Sequence, residues 1–248
     1  MNVIDQVVTA TPGVRWSISI PQLGEHEPAR RLRTASIGKL LLLIETARLI
    51  DGGELDPGEP LAKDPAVAVA DSGLWQHLTV GALPVADLAV LIAAVSDNYA
   101  TNVLLARIGL DAVAALADRL GLRETRLLDR VRNKRDPADP PTLSTGCAGE
   151  LAGLMGHLAR GTLLTPGVSA RMDAWMATSA DLSMVASGFD ADPLAHTSSV
   201  RNKTGTDDGI RADVGYAGQQ PWAVLAEFDP PDLAAVMSGM RRIGSALS

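Results

Sequence analysis

A single cysteine, Cys147, excludes an intrachain disulfide, and one thiol cannot by itself build a metal site. It reads as a small buried residue on a helix. Histidine is almost as scarce. His26, His77, His157 and His196 show no metal-ligand spacing and have no Cys partner, so neither a metal nor another cofactor is expected. Aromatic residues make up 3% of the chain, so a hydrophobic share of 46% implies a core of Ala, Val and Leu. A basic excess is missing as well: the net charge of -7 argues against nucleic acid or an anionic membrane surface as partner. Lys and Arg gather only locally, around Arg30 to Arg33 and Arg123 to Arg135, as solvated faces or a cationic rim. No apolar run reaches the roughly eighteen residues of a membrane span. The start, Met1 to Gln6, has neither the basic region nor the apolar core of a signal peptide. The chain as written is expected in the cytoplasm, or secreted or periplasmic if it is a mature form. Also missing is the glycine-flanked elbow of a Ser-His-Asp hydrolase, because Ser36 stands between Ala35 and Ile37.

The 248 residues that are present can bury a large core in one catalytic unit, expected to work as a monomer. A helix at Val3 to Ala10 precedes a strand at Arg15 to Ile20, where Trp16, Ile18 and Ile20 alternate with Arg15, Ser17 and Ser19. Beyond the turn-rich Pro21 to Pro28, helical patterns fill most of residues 36–175. Breaks are expected at Gly52-Gly53, Pro57-Gly58, Pro137 to Pro141 and Pro166-Gly167. Strands follow at Ser198 to Thr206, Ile210 to Ala217 and Trp222 to Phe228, and a last helix runs from Asp232 to Leu247. The fold class is therefore α+β. Residues 1–35 and 176–248 form a discontinuous α/β sandwich lobe around an antiparallel sheet of about five strands. Residues 36–175 insert an all-helical lobe, and a cleft between the lobes gathers three distant segments.

Those segments carry chemistry. Ser36-Ile37-Gly38-Lys39 opens a stretch, Ser36 to Ile50, that reads as a buried helix with Leu40 to Ile44 close behind the serine. Ser36 is therefore expected in its first turn, where free N–H groups and the positive end of the helix dipole face outward. Lys39 lies three residues on, on the same face, so its amine can reach the Ser36 hydroxyl. Desolvation and a nearby cation such as Lys203 would lower its pKa and leave it neutral, able to accept the serine proton. Ser96-Asp97-Asn98 falls between two apolar helical runs, in a turn where a hydroxyl and an amide can line a cleft. Lys203-Thr204-Gly205 lies on a strand, where glycine permits close approach. Alone, each has a plain structural explanation: a helix cap, a turn, a charged edge. The ordered combination points to acyl transfer.

With these motifs the chain resembles the serine beta-lactamases of class A and the related penicillin-binding D-alanyl-D-alanine peptidases over most of its length. Asp71-Ser72-Gly73, Leu78-Thr79, Asp87-Leu88, Ala100-Thr101-Asn102 and Leu104-Leu105 are similar to the family's helical half, and Val200 to Gly215 to its third and fourth strands. The resemblance implies that Ser36 is acylated, Lys39 is its base and Ser96 passes a proton to the leaving nitrogen. It implies that Asn98 holds the side-chain amide of a small-molecule substrate, a beta-lactam or a related amide or ester. Lys203 and Thr204 would bind its carboxylate, with Gly205 beside them, and Arg211 falls near a carboxylate-binding arginine of some members. The backbone N–H groups of Ser36 and Thr206 would form the oxyanion hole.

One departure limits the analogy. The lactamases carry a deacylating glutamate on a loop whose start is similar to Leu128-Asp129-Arg130, whereas here Val131-Arg132-Asn133-Lys134-Arg135-Asp136 follows. Arg132 stands at or next to the expected glutamate, and the loop closes early. Asp129, Asp136 and Asp139 have simpler roles as turn formers or ion-pair partners. The expectation is acylation of Ser36 with slow deacylation. The alternatives are a penicillin-binding peptidase or esterase with a non-lactam substrate, and a non-catalytic ligand-binding module on the same fold.

Overall fold

The computed structural model describes residues 2–195 and 199–248. Among them the elements run α1 (Val3–Ala10), β1 (Arg15–Ile20), β2 (Gly24–His26), β3 (Leu32–Arg33), α2 (Lys39–Asp51), β4 (Pro60–Ala62), β5 (Ala82–Pro84), α3 (Val85–Val95) and α4 (Asn98–Ile108). They continue with α5 (Leu110–Arg119), β6 (Arg126–Leu127), β7 (Ser144–Gly146), α6 (Ala148–Ala159), α7 (Pro166–Met176), β8 (Val200–Asp207), β9 (Ile210–Ala217), β10 (Gln220–Glu227) and α8 (Leu233–Leu247). The main sheet has the order β2-β1-β10-β9-β8. Its pairs are antiparallel, with Arg15 opposite Glu227 and Thr204 opposite Asp213. This is the expected α+β fold.

Strand periodicity divides the sheet between two cores. Trp222, Val224 and Ala226 join Trp16, Ile18 and Ile20 in a cluster with Ile4 and Val7 of α1 and Val236, Met240 and Ile243 of α8. The intervening Ala223 and Leu225, with Ala212 and Val214, join the larger cluster around α2. Ser17 and Ser19, expected on a polar face of β1, are buried too. Their hydroxyls are satisfied, by Glu27 O and the Ala148 N–H for Ser17 and by Glu25 for Ser19. The cause is α6, which packs across β1, β9 and β10.

The span 36–175 is not purely helical, since it also holds the β4–β5 hairpin and the strands β6 and β7, of which β7 pairs with both β3 and β6. Three other elements differ from the sequence reading. Pro166 begins α7 instead of breaking a helix, because Thr165 caps it by accepting from the Val168 N–H. Strand β2 interrupts the stretch read as turns. Cys147 is buried at the N-cap of α6. His196 and the Ser198 end of the strand expected at Ser198 to Thr206 lie outside the described residues.

Helix α2 is buried on every side from Lys39 through Ala47, as the unbroken apolar run Leu40 to Ile44 requires. Within its burial, Glu45 is held by two bonds from Arg48, at 2.9 Å each. The helix sets the floor on which the site is built.

Candidate active site

Ser36 occupies a 3₁₀ turn, Ala35–Gly38, immediately before α2, so the α-helix begins at Lys39 rather than at the serine. The turn is pinned from outside. Ser144 of β7 donates to Ala35 O at 2.6 Å and bonds the Thr34 hydroxyl at 2.8 Å. A Cβ at Gly38 would lie 2.4 Å from Ser144 Cβ, so only glycine lets the two segments meet. Ala35 is held at φ 47°, a left-handed conformation costing roughly 1–2 kcal/mol for a residue with a Cβ. From the other side, a Cβ at Gly205 would stand 2.2 Å from Thr34 O, so the glycine of the third motif is what allows β8 to lie against the serine turn.

Lys39 is fully buried, and its Nζ donates to Ser96 O at 2.7 Å, Asn98 Oδ1 at 2.7 Å and Ser96 Oγ at 3.2 Å. The amine thus reaches the second motif. Its bonds go to Ser96 and Asn98, not to Ser36 as the spacing suggested. Lys203, also buried, donates to the same Ser96 Oγ at 3.0 Å and to Thr204 O at 2.9 Å. The Ser96 hydroxyl therefore stands between two amines. Burial drives the Lys39 pKa well below the ordinary lysine value, and the Lys203 charge lowers it further, against the pull of Asp97 and Asp71. Burial also lowers Lys203, to about 8, with Asp181 and Asp213 opposing. A neutral Lys39 retains two N–H groups for the carbonyl oxygens of Ser96 and Asn98, which leaves its lone pair free to accept a hydroxyl proton.

Ser96 is presented by strain. It ends α3 at φ 56° and ψ 36°, a left-handed conformation more usual for glycine. Asp97, next in sequence, caps α4 through the Ala100 N–H and accepts from the N–H groups of Leu74 and Trp75 at 2.7 and 2.8 Å. The carboxylate of the second motif is thus a structural clamp. Asn98 gives Oδ1 to Lys39 and donates Nδ2 to Ala70 O at 3.2 Å.

These segments enclose an open cleft of about 780 Å³. Ser36, Ser96, Asn98, Lys203, Thr204 and Thr206 line it, and Lys39 lies beneath. Arg211 is not among the lining residues. Its guanidinium donates to Asp207 O and Ile210 O of its own hairpin and lies over the Phe228 ring.

The short loop supplies Val131, Arg132, Asn133 and Arg135 to the cleft, and no carboxylate. Asn102 braces it by accepting from the Val131 N–H at 2.8 Å and donating to Val131 O at 2.9 Å. Asp129 is taken by Arg132 and Arg135. Burial would raise its pKa, but the bonds from those arginines hold it below the usual range. Asp139 pairs with Arg132 at 3.0 Å and accepts the Asp136 N–H.

Sequence reasoning missed Asp181 and Ser144. Asp181 lines the cleft and accepts the Thr204 hydroxyl at 2.7 Å, but no motif marks it because it follows α7 in an irregular segment. Among the described residues, no group of three or more His, Cys, Asp and Glu is placed to hold a metal ion.

A family model described as "Beta-lactamase enzyme family" matches residues 1–248. No curated protein matches. Among solved structures, a beta-lactamase from Sphaerobacter thermophilus DSM 20745 is similar at 28% identity and a TM-score of 0.85, over 98% of this chain and 94% of that one. A variant of PBP-A, solved as an acyl-enzyme complex with penicillin G, shares the fold at 21% identity and a TM-score of 0.78, over 98% and 94%. A beta-lactamase from Xanthomonas campestris does so at 21% and 0.79, over the same shares.

Proposed function

We propose, for a chain that belongs to the beta-lactamase enzyme family, that Ser36 is the nucleophile of an acyl-transfer reaction and that the amide it opens is a beta-lactam. The observation that carries this reading is the Ser96 hydroxyl held between the Nζ atoms of two buried lysines, at 3.2 and 3.0 Å. Neutral Lys39 takes the Ser36 proton and Oγ attacks the carbonyl carbon. The oxygen of the tetrahedral intermediate is received by the backbone N–H groups of Ser36 and Thr206, donors of a kind worth on the order of 3 kcal/mol each. As the C–N bond breaks, Ser96 delivers a proton to the nitrogen and is reprotonated from Lys39. Charged Lys203 keeps the Ser96 oxygen oriented. Asn98 receives the substrate's side-chain amide, and Lys203 and Thr204 face the group beyond the scissile bond. One chain carries every residue of this scheme, so a monomer suffices.

Hydrolysis of the acyl-enzyme is the slow step, because the loop brings Arg132 and Arg135 to the cleft and no carboxylate to activate water. The same observation favours a second reading, a penicillin-binding peptidase or esterase acting on a non-lactam substrate.

Intact mass after mixing with a penicillin or a chromogenic cephalosporin tests both. A long-lived adduct, absent in Ser36→Ala, is expected. Rapid turnover with no accumulating adduct would contradict slow deacylation, and an adduct on Ser36→Ala would remove the nucleophile assignment. A protein that also resists a labelled serine-reactive phosphonate would be a binding module.

A further inference from the structure

The hydroxyl of Thr204 has one proton, and it is already given to a protein carboxylate. Thr204 Oγ1 donates to Asp181 Oδ2 at 2.7 Å, and both residues line the cleft beside Lys203. What Thr204 offers an incoming ligand is therefore lone pairs. Asp181 is fixed in this role. Its other oxygen accepts the Ser183 N–H at 3.1 Å, and its carbonyl oxygen accepts Asn202 Nδ2 at 3.0 Å. Partial burial works against its charge, but the bonds from Ser183 and Thr204 and the Lys203 ammonium prevail and keep it ionised.

A substrate carboxylate resting on Lys203 and Thr204 would have an oxygen within about 3 Å of Thr204 Oγ1, where Asp181 Oδ2 already is. Two carboxylates would then compete for one proton at a separation where like charges repel strongly. Relief does not come from the loop, because Arg132 and Arg135 are engaged by Asp129 and Asp139. We infer that Asp181 is a specificity-determining residue that biases the cleft against acyl donors carrying a carboxylate beyond the scissile bond and toward neutral donors bearing an N–H or O–H group there. This rests on the reading of Ser36 as the acylated residue.

The test compares benzylpenicillin with its uncharged primary amide, measuring the second-order acylation constant by intact mass in the wild type and in Asp181→Asn. The wild type is expected to acylate with the amide at least tenfold faster than with the free acid. In Asp181→Asn the acid-to-amide ratio is expected to rise at least tenfold, the gain falling as salt is added to the wild type and variant alike. An unchanged or lowered ratio overturns the inference, as does a wild type that prefers the acid or one acylated by neither compound. Phosphonate labelling separates the two layers: a labelled Ser36 with an unchanged ratio removes only the role of Asp181, whereas an unlabelled Ser36 removes the acylation reading itself. Asp181→Ala, checked for an unchanged melting temperature, provides a second variant if the asparagine destabilises the fold.

Discussion

Asn98 Oδ1 accepts a hydrogen bond from Lys39 Nζ at 2.7 Å, and the same side chain donates to Ala70 O. The amide is thus part of the environment that decides how many protons the lysine keeps. A neutral acceptor tolerates a neutral amine, which a carboxylate at that distance would not.

Asn98→Asp is expected to raise the Lys39 pKa and hold it as an ammonium. Each unit of that rise lowers the neutral fraction tenfold. Acylation at pH 7 should fall about a hundredfold, the consequence of a rise of roughly two units, and recover as pH is raised. Asn98→Ala should weaken substrate positioning while leaving phosphonate labelling of Ser36 intact. Labelling and acylation rates across pH 6 to 10 check both, and equal losses at all pH values would contradict the effect expected of the introduced carboxylate.

Lys203, with a pKa of about 8, predicts a descending alkaline limb in the acylation rate near that pH. Lys203→Arg, whose guanidinium stays charged, should move the limb upward by more than one unit. The stability effect has the opposite sense. The folded chain binds this proton more weakly than the unfolded chain does, so the contribution to stability increases as pH rises from about 8 toward the ordinary lysine value.

Gly205→Ala should force β8 away from Thr34, costing about 1–3 kcal/mol and slowing acylation more than tenfold. Gly81, around which a Cβ would meet nothing within 4 Å, provides the control. Denaturant melts of the two alanine variants should differ, and matching melts would mean that β8 can shift without loss.

Asp213 is fully buried, and burial pushes its pKa up to about 6 despite bonds from Ala186, Asn202 and Trp222. A raised carboxyl pKa means the folded chain holds this proton more tightly, so stability from this group declines as pH rises from about 4 through 6. The decline is on the order of 3 kcal/mol at 1.36 kcal/mol per unit. Asp213→Asn should remove that slope from the difference between variant and wild type, measured by urea melts at pH 4 to 7.

Arg132→Glu should shorten the lifetime of a penicillin adduct at least tenfold by bringing a carboxylate to the cleft. Asn102 still clamps the Val131 backbone, and Arg135 still pairs with Asp129. The adduct's decay by intact mass decides it, and an unchanged lifetime would mean that the short loop cannot deliver the base.

Much of this site could be read from the chain because the three motifs combine a reactive side chain with the local rule that positions it. Ser96-Asp97-Asn98 reads as a turn because apolar helical runs flank it, and Gly205 marks a close approach that the Thr34 carbonyl explains. Ser144 and Asp181 were invisible for the opposite reason. Each acts through a partner more than twenty residues away, at Ala35 and at Thr204, and nothing in its own neighbourhood signals it. The burial of Ser17 and Ser19 escaped notice for the same cause, since period-two patterning describes one strand and cannot reveal that α6 covers its second face. The direction of the Lys39 bonds depended on the left-handed turn at Ser96, which no residue type there announces.

The pairing of β1 with β10 joins Arg15 to Glu227, 212 residues apart, and Lys203 sits two strands farther along the same sheet. Contacts this distant in sequence are expected to form later than the local turns and helices that carry Ser36, Lys39 and Ser96. A chain emerging from the ribosome can therefore assemble the serine, its amine and the bridging hydroxyl before the second lysine has been synthesised. Under the proposed acylation of Ser36, covalent capture by a penicillin at full rate would then report that the last strands have docked and would serve as a kinetic probe of the final step of folding.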